Sequence, residues 1–225
     1  MKRVYIHGLG QTSDSWKKVV AQLAPSECSV CPNLAELVKG TEITYQNLYS
    51  AFSAMCNAIE EPISLCGLSL GGVLALNYAI EYPTKVKSLV LIATQYRMPK
   101  KLLKFQNLVF RFMPKSMFQQ MGFEKSSFRK LCSTMMDLDF RDSICNVSCP
   151  TLVVYGEKDR ANKSASIELA DILNDAELYV INGTGHEANI EAPERLARKL
   201  REFYDSVLTE KTEASYGNFK YKGSF

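Results

Sequence analysis

Histidine is nearly missing from this sequence, with two in 225 residues, and tryptophan occurs once. So small a supply of imidazole leaves few ligands for a His-rich metal site. No apolar run approaches the roughly 20 residues that a membrane-spanning helix needs. The heptads of a coiled coil and the triplets of collagen are lacking too, and there is neither an internal repeat nor a low-complexity tract. Before the first glycine the chain offers an apolar stretch of only three residues, Val4-Tyr5-Ile6, too short for a signal peptide. A cytoplasmic protein without a transmembrane segment is expected. The seven cysteines are an odd number and fit free thiols better than a disulfide framework. Cys28 and Cys31 form a CxxC with no second pair at zinc-site spacing, so no metal is expected there.

What is present points to a globular protein. An apolar share of 46% can bury a real core, which argues against disorder and fits one domain carrying an insertion. The net charge of +3 hides an asymmetry. Between Arg97 and Lys130 nine basic residues meet a single acid, Glu124, so the rest of the chain is net acidic.

The period of the apolar residues predicts strands at Val4–Ile6, Cys28–Cys31, Ile63–Cys66, Val86–Ala93, Thr151–Tyr155 and Leu178–Ile181. Helices are predicted between them, from Ser13 or Asp14 to Ala24, from Tyr45 to Ile59, after Ser69 to Tyr82, from Ser164 to Leu173 and from Pro193 to Leu208. Strands alternating with helices imply a mostly parallel sheet flanked on both faces. Ligands of such sheets gather beyond the carboxyl ends of the strands. The stretch 97–146 breaks the alternation and reads as helical, basic and rich in Met and Phe. The tail 209–225 shows little periodicity.

Gly67-Leu68-Ser69-Leu70-Gly71 stands between a strand and a helix. A turn that sharp strains the serine backbone, needs small neighbours and exposes Ser69 Oγ at a helix N-terminus. A serine hydroxyl needs a base. Histidine has the right basicity, and His186 follows the last predicted strand, so it is the candidate. A carboxylate must orient that imidazole, and Asp159 and Glu157 both follow the preceding strand; spacing alone does not choose between them. At the end of the first strand His7-Gly8-Leu9-Gly10 allows main-chain N–H groups to turn toward a developing oxyanion. Leu9 and Leu70 are the natural donors. His7 itself is expected to hold this loop by hydrogen bonding.

These pieces, in order, resemble the α/β-hydrolase superfamily: His7-Gly8-Leu9-Gly10 with Trp16, Gly67-Leu68-Ser69-Leu70-Gly71-Gly72, Gly156-Glu157-Lys158-Asp159 and Gly185-His186. The resemblance runs from about Val4 to Leu208. It implies a catalytic triad of Ser69, His186 and Asp159, an oxyanion hole of the Leu9 and Leu70 amides, and Trp16 packed beneath that loop. Leu9, Trp16 and Leu70 are expected to border the substrate. The implied fold is α/β, with a core of 1–96 and 147–208, a helical cap at 97–146 and a tail at 209–225. Some features depart from the pattern. Few residues precede the first strand, so the sheet is expected to be trimmed; Pro32-Asn33-Leu34-Ala35-Glu36-Leu37 replaces a glycine-rich family motif; and Asn162 stands where proline is common.

The implied activity is a serine hydrolase cleaving carboxylic esters through an acyl-enzyme, without a cofactor. The alternatives are a methyl esterase acting on a carrier-bound acyl chain, as in the pimeloyl-carrier-protein methyl ester esterases, and a lyase or C–C hydrolase using the same triad. An apolar underside to the cap favours a small-molecule acyl substrate. Its basic charge suits an acidic carrier protein or an anionic surface. Nucleic acid is not expected, since no binding motif accompanies the charge.

Overall fold

The strand Val86–Ile92 buries every residue but Lys87, and Ile63–Leu68 and Thr151–Gly156 bury all of theirs. Strands this apolar must be covered on both faces. The computed structural model describes residues 2–23, 28–98 and 124–217, with Lys100, Pro114, Ser116 and Phe118 besides, and side chains as far as 209. Among these residues β1 (Arg3–Ile6), β2 (Ser29–Val30), β3 (Ile63–Leu68), β4 (Val86–Ile92), β5 (Thr151–Gly156) and β6 (Ala176–Ile181) form one sheet. Its order is β2-β1-β3-β4-β5-β6, and each neighbouring pair is parallel.

Alternate strand residues feed two separate cores, as the pleat requires. Val4, Ile6, Leu65, Leu89 and Val153 face α3 (Tyr45–Asn57) and α4 (Leu70–Glu81), where Leu48, Phe52, Leu74 and Tyr78 are buried. On the other face Tyr5, Cys66, Val90, Leu152 and Val154 meet Trp16, Val19 and the last helix, through Leu196, Leu200 and Tyr204. The chain leaves β1 toward β2 and returns on the opposite side as β3. The strand order therefore reverses between β1 and β3, the switch point beyond whose carboxyl ends ligands of such sheets bind. The loop of Gly8 follows one of these strands and Ser69 the other.

Several elements differ from the sequence expectation. The first helix is a 3₁₀ turn, Ser13–Trp16, continued by the short α1, Lys17–Val20. Leu34–Leu37 forms α2, begun by the Asn33 side chain accepting from Ala35 N–H. A four-residue helix leaves too few apolar repeats to be read from periodicity. The last helix, α8, continues from Pro193 to Gly217 rather than stopping at Leu208. Beyond Leu208 the apolar stripe ends, but Glu, Lys and Ala are good helix formers and sustain the backbone without it.

Of the insertion expected at 97–146, the described residues include α5 (Lys125–Thr134), a 3₁₀ turn at Ile144–Asn146 and an antiparallel bridge between Arg97 and Asp139. Phe118 and Phe128 meet edge to face at 5.0 Å, and both are buried with Leu131 in the α3–α4 core. Most of the basic and Met-rich run between 99 and 123 lies outside the described residues, as does the tail beyond 217.

Candidate active site

β3 runs directly into α4, and Ser69 occupies the single residue between them with φ 52° and ψ −114°. That left-handed backbone is costly for a residue with a Cβ, on the order of 1–3 kcal/mol, and persists only where the surroundings impose it. Here they do. A Cβ on Gly71 would lie 2.2 Å from the Ile6 carbonyl oxygen, and one on Gly67 would lie 2.2 Å from the Gly71 oxygen. The bare Gly71 therefore lets the elbow sit hard against the end of β1, and the bare Gly67 lets the turn close upon itself. Ser69 N–H is held by the Ile92 carbonyl at 2.8 Å. Leu70 opens the helix, so its N–H has no intrahelical acceptor.

The loop after β1 lies beside Ser69: a Cβ on Gly8 would come 3.6 Å from the Ser69 Cβ. A turn closed by Gln11 N–H on the Gly8 carbonyl (3.2 Å) has Leu9 and Gly10 at its centre, and their N–H groups take no part in closing it. His7 is buried and doubly bonded. Its Nε2 accepts from Leu34 N–H at 3.0 Å, which leaves Nδ1–H to donate to the Gly8 carbonyl at 2.8 Å. Burial lowers its pKa, an effect its bond to Gly8 only partly offsets. His7 is therefore a neutral strut joining the β1 loop to α2. Trp16 has no exposed surface and packs on Tyr5, with ring centroids 5.4 Å apart. The substrate contact expected of it gives way to a packing role. Leu70 is also almost wholly buried, in the α3–α4 core, while Leu9 is half-buried at the edge of that core.

Farther along the same carboxyl edge of the sheet, Gly156 closes β5, where a Cβ would meet the Gly185 carbonyl oxygen at 2.1 Å. The loops after β5 and β6 thus touch, and His186 Nδ1 lies 2.8 Å from Asp159 Oδ2. The Asp159 carboxylate is buried and the imidazole half-exposed. The hydrogen bond to Asp159 raises the His186 pKa against the opposing effect of burial, and the charges of Asp159, Glu187 and Glu191 add to the rise. Burial would raise the Asp159 pKa, but hydrogen bonds from His186 and Asn162 bring it below the usual value. Glu157, the rival acid, accepts instead from Gly183 N–H at 2.7 Å and so braces the turn before His186.

Four more polar residues shape this region. Glu191, in α7 (Ala188–Glu191), accepts from Gly185 N–H at 2.6 Å and from Glu187 N–H at 3.1 Å, gripping the backbone on both sides of His186. Gln11 and Asn189 form a buried reciprocal amide pair. Gln11 Nε2 donates to Asn189 Oδ1 at 3.2 Å, and Asn189 Nδ2 returns a bond to Gln11 Oε1 at 3.0 Å. Gln11 also bonds Glu187 at 2.8 Å and accepts from Gly8 N–H at 3.4 Å. Asn162 donates to Asp159. Gln11 and Asn189 carry no motif and bond each other 178 positions apart, so no local signal could reveal them; Glu191 bonds only four and six positions away but belongs to no motif either.

Among the described residues no cluster of His, Cys, Asp and Glu could hold a metal ion, and no helix is long and apolar enough to cross a membrane.

The sequence model of the alpha/beta hydrolase family matches residues 4–199, and the chain belongs to that family. It is 24% identical over 244 residues to Lipase 3 of Moraxella sp. (strain TA144), covering 90% of this chain and 76% of the lipase. A pimeloyl-[acyl-carrier protein] methyl ester esterase of Pseudoalteromonas atlantica is 31% identical over 99 residues, 43% of this chain and 38% of that one. Among solved structures, a putative lipase (lip1) from Acinetobacter baumannii superposes with a TM-score of 0.76 at 24% identity, covering 93% of this chain and 85% of the other. Family and relatives together support a hydrolase.

Proposed function

We propose that the protein is a serine hydrolase of carboxylic esters, with Ser69 as nucleophile, His186 as base and Asp159 as its orienting acid. The observation that carries this reading is the pairing of the strained Ser69 elbow with a hydrogen-bonded Asp159–His186 pair on loops at the same edge of a parallel sheet. With Nδ1–H committed to Asp159, the free Nε2 of His186 is the nitrogen that takes the Ser69 hydroxyl proton. The alkoxide attacks the ester carbonyl, and the N–H groups of Leu9 and Leu70 stabilise the tetrahedral oxyanion. His186 passes its proton to the departing alcohol. Water, deprotonated by the same nitrogen, then frees the acid from the acyl-enzyme and restores Ser69. No step needs a cofactor. The core of 1–96 and 147–208 supplies every one of these groups, and the insertion at 97–146 serves as the cap over the acyl chain.

Ser69→Ala is expected to lower turnover of a short p-nitrophenyl ester by a factor on the order of 10⁴ or more while the circular dichroism spectrum is kept. Unchanged turnover would overturn the mechanism. The similarity to the Pseudoalteromonas esterase favours a second reading, a methyl ester on a carrier-bound acyl chain met by the basic insertion. A panel of free and carrier-linked methyl esters separates the two.

A further inference from the structure

Asn162 is 8% exposed and begins α6 (Lys163–Ile172), three residues beyond Asp159. Its Nδ2 lies 2.9 Å from both Asp159 oxygens and 3.1 Å from His186 Nδ1. A carboxylate only accepts, so the amide must turn its NH₂ toward Asp159 and its oxygen away. That oxygen accepts from Gln95 Nε2 at 2.8 Å, and Gln95 Nε2 also reaches the Ala161 carbonyl at 3.3 Å. Gln95 stands three residues after β4, at the root of the insertion. Because His186 Nδ1–H points at Asp159, its approach to Asn162 Nδ2 is not a bond. It sets two donors side by side on one carboxylate.

We propose that Asn162 is a positioning residue that fixes the plane of the Asp159 carboxylate for His186 and takes a share of its charge, and that Gln95 locks the amide in the required orientation. This deepens the proposed serine-hydrolase reading and rests on it for its effect on rate. The pair's geometry does not depend on any substrate. The charged groups acting on His186 are Asp159, Glu187 and Glu191, and a change at 162 or 95 removes none of them.

The test uses the scarcity of histidine. With only His7 and His186 present, imidazole NMR resolves His186 directly, and the His186→Ala spectrum assigns it. In Asn162→Ala the carboxylate loses its side-chain amide donor, keeps the backbone one, and gives more of its charge to the imidazolium. The His186 midpoint is expected to rise by about half a pH unit or more, and the acid limb of kcat/KM should move with it. Asn162→Ser, which keeps one donor, should fall between. Gln95→Ala leaves the amide in place but unlocked, and a smaller rise is expected; it stands in if Asn162→Ala does not fold. A folded Asn162→Ala, or the Gln95→Ala that replaces it, with the wild-type midpoint or a lower one would overturn the proposal. Turnover that survives Ser69→Ala would sink the hydrolase mechanism alone and leave the NMR result to be judged separately.

Discussion

Two imidazoles in one chain are pushed in opposite directions, and the cause is the partner each one meets. His186 faces a carboxylate that favours its charged form, so its pKa lies above the ordinary imidazole value, whereas burial holds His7 below that value. A base must be neutral to accept a proton. kcat/KM is therefore expected to climb with pH through an apparent pKa above roughly 6.5, and the rate profile of a neutral ester checks it. His7 acts on stability instead. Its folded pKa is depressed, so the stability it confers is complete above about 6.5 and is lost as pH falls toward the folded value. His7→Ala would leave Leu34 N–H buried without its partner and take one of two hydrogen bonds from the Gly8 carbonyl, which keeps Gln11 N–H, at a cost of about 2 to 3 kcal/mol at pH 8. Urea denaturation of both proteins should show that gap narrowing below pH 6.5. His186 drifts the opposite way in both, so the comparison cancels it.

At the scale of elements, the turn between β3 and α4 shows why the fold was legible in the sequence. Its signature is local, since Gly67, Ser69 and Gly71 sit within five residues and the apolar runs on either side have opposite periods. In an ordinary helix Gly→Ala gains up to about 1 kcal/mol. Gly71→Ala is expected to reverse that sign and lose about 3 kcal/mol or more, because the new Cβ would strike the Ile6 and His7 carbonyl oxygens. A lowered urea midpoint together with lost ester turnover checks this, and a stabilised variant would refute the steric account. The parallel sheet was readable for the same local reason, with each strand a short apolar run closed by turn residues. The short helices α2 and α7 were not, because one helical turn establishes no period. Nor was the grip of Glu191 on the His186 loop, or the bond from Asn162 to Asp159. Both contacts are short-range, but they depend on how the loops bend, and the residue types that make them are common everywhere along a chain.

The whole molecule brings its first loop and its last loop together, and Gln11 with Asn189 is the fastening. Their two amides, 178 positions apart in the sequence, exchange hydrogen bonds, both are buried, and Gln11 also reaches Gly8 on one side and Glu187 on the other. One end of this network borders the Leu9 amide and the other borders His186, so the loop that would hold an oxyanion and the loop that carries the imidazole share one set of bonds. Removing either amide leaves its partner buried with unmet donors and acceptors, a penalty of about 2 kcal/mol for Gln11→Ala or Asn189→Ala alone. Removing both takes away the penalty as well as the bond, so the double variant is expected to lose about 1 to 2 kcal/mol less than the sum of the singles. Urea unfolding of the four proteins measures that coupling. The same cycle run on kcat shows whether the two loops act as one unit, in which case each single variant slows turnover nearly as much as the pair does. Strictly additive losses in both stability and rate would mean that the loops are held independently, by Glu191 on one side and His7 on the other.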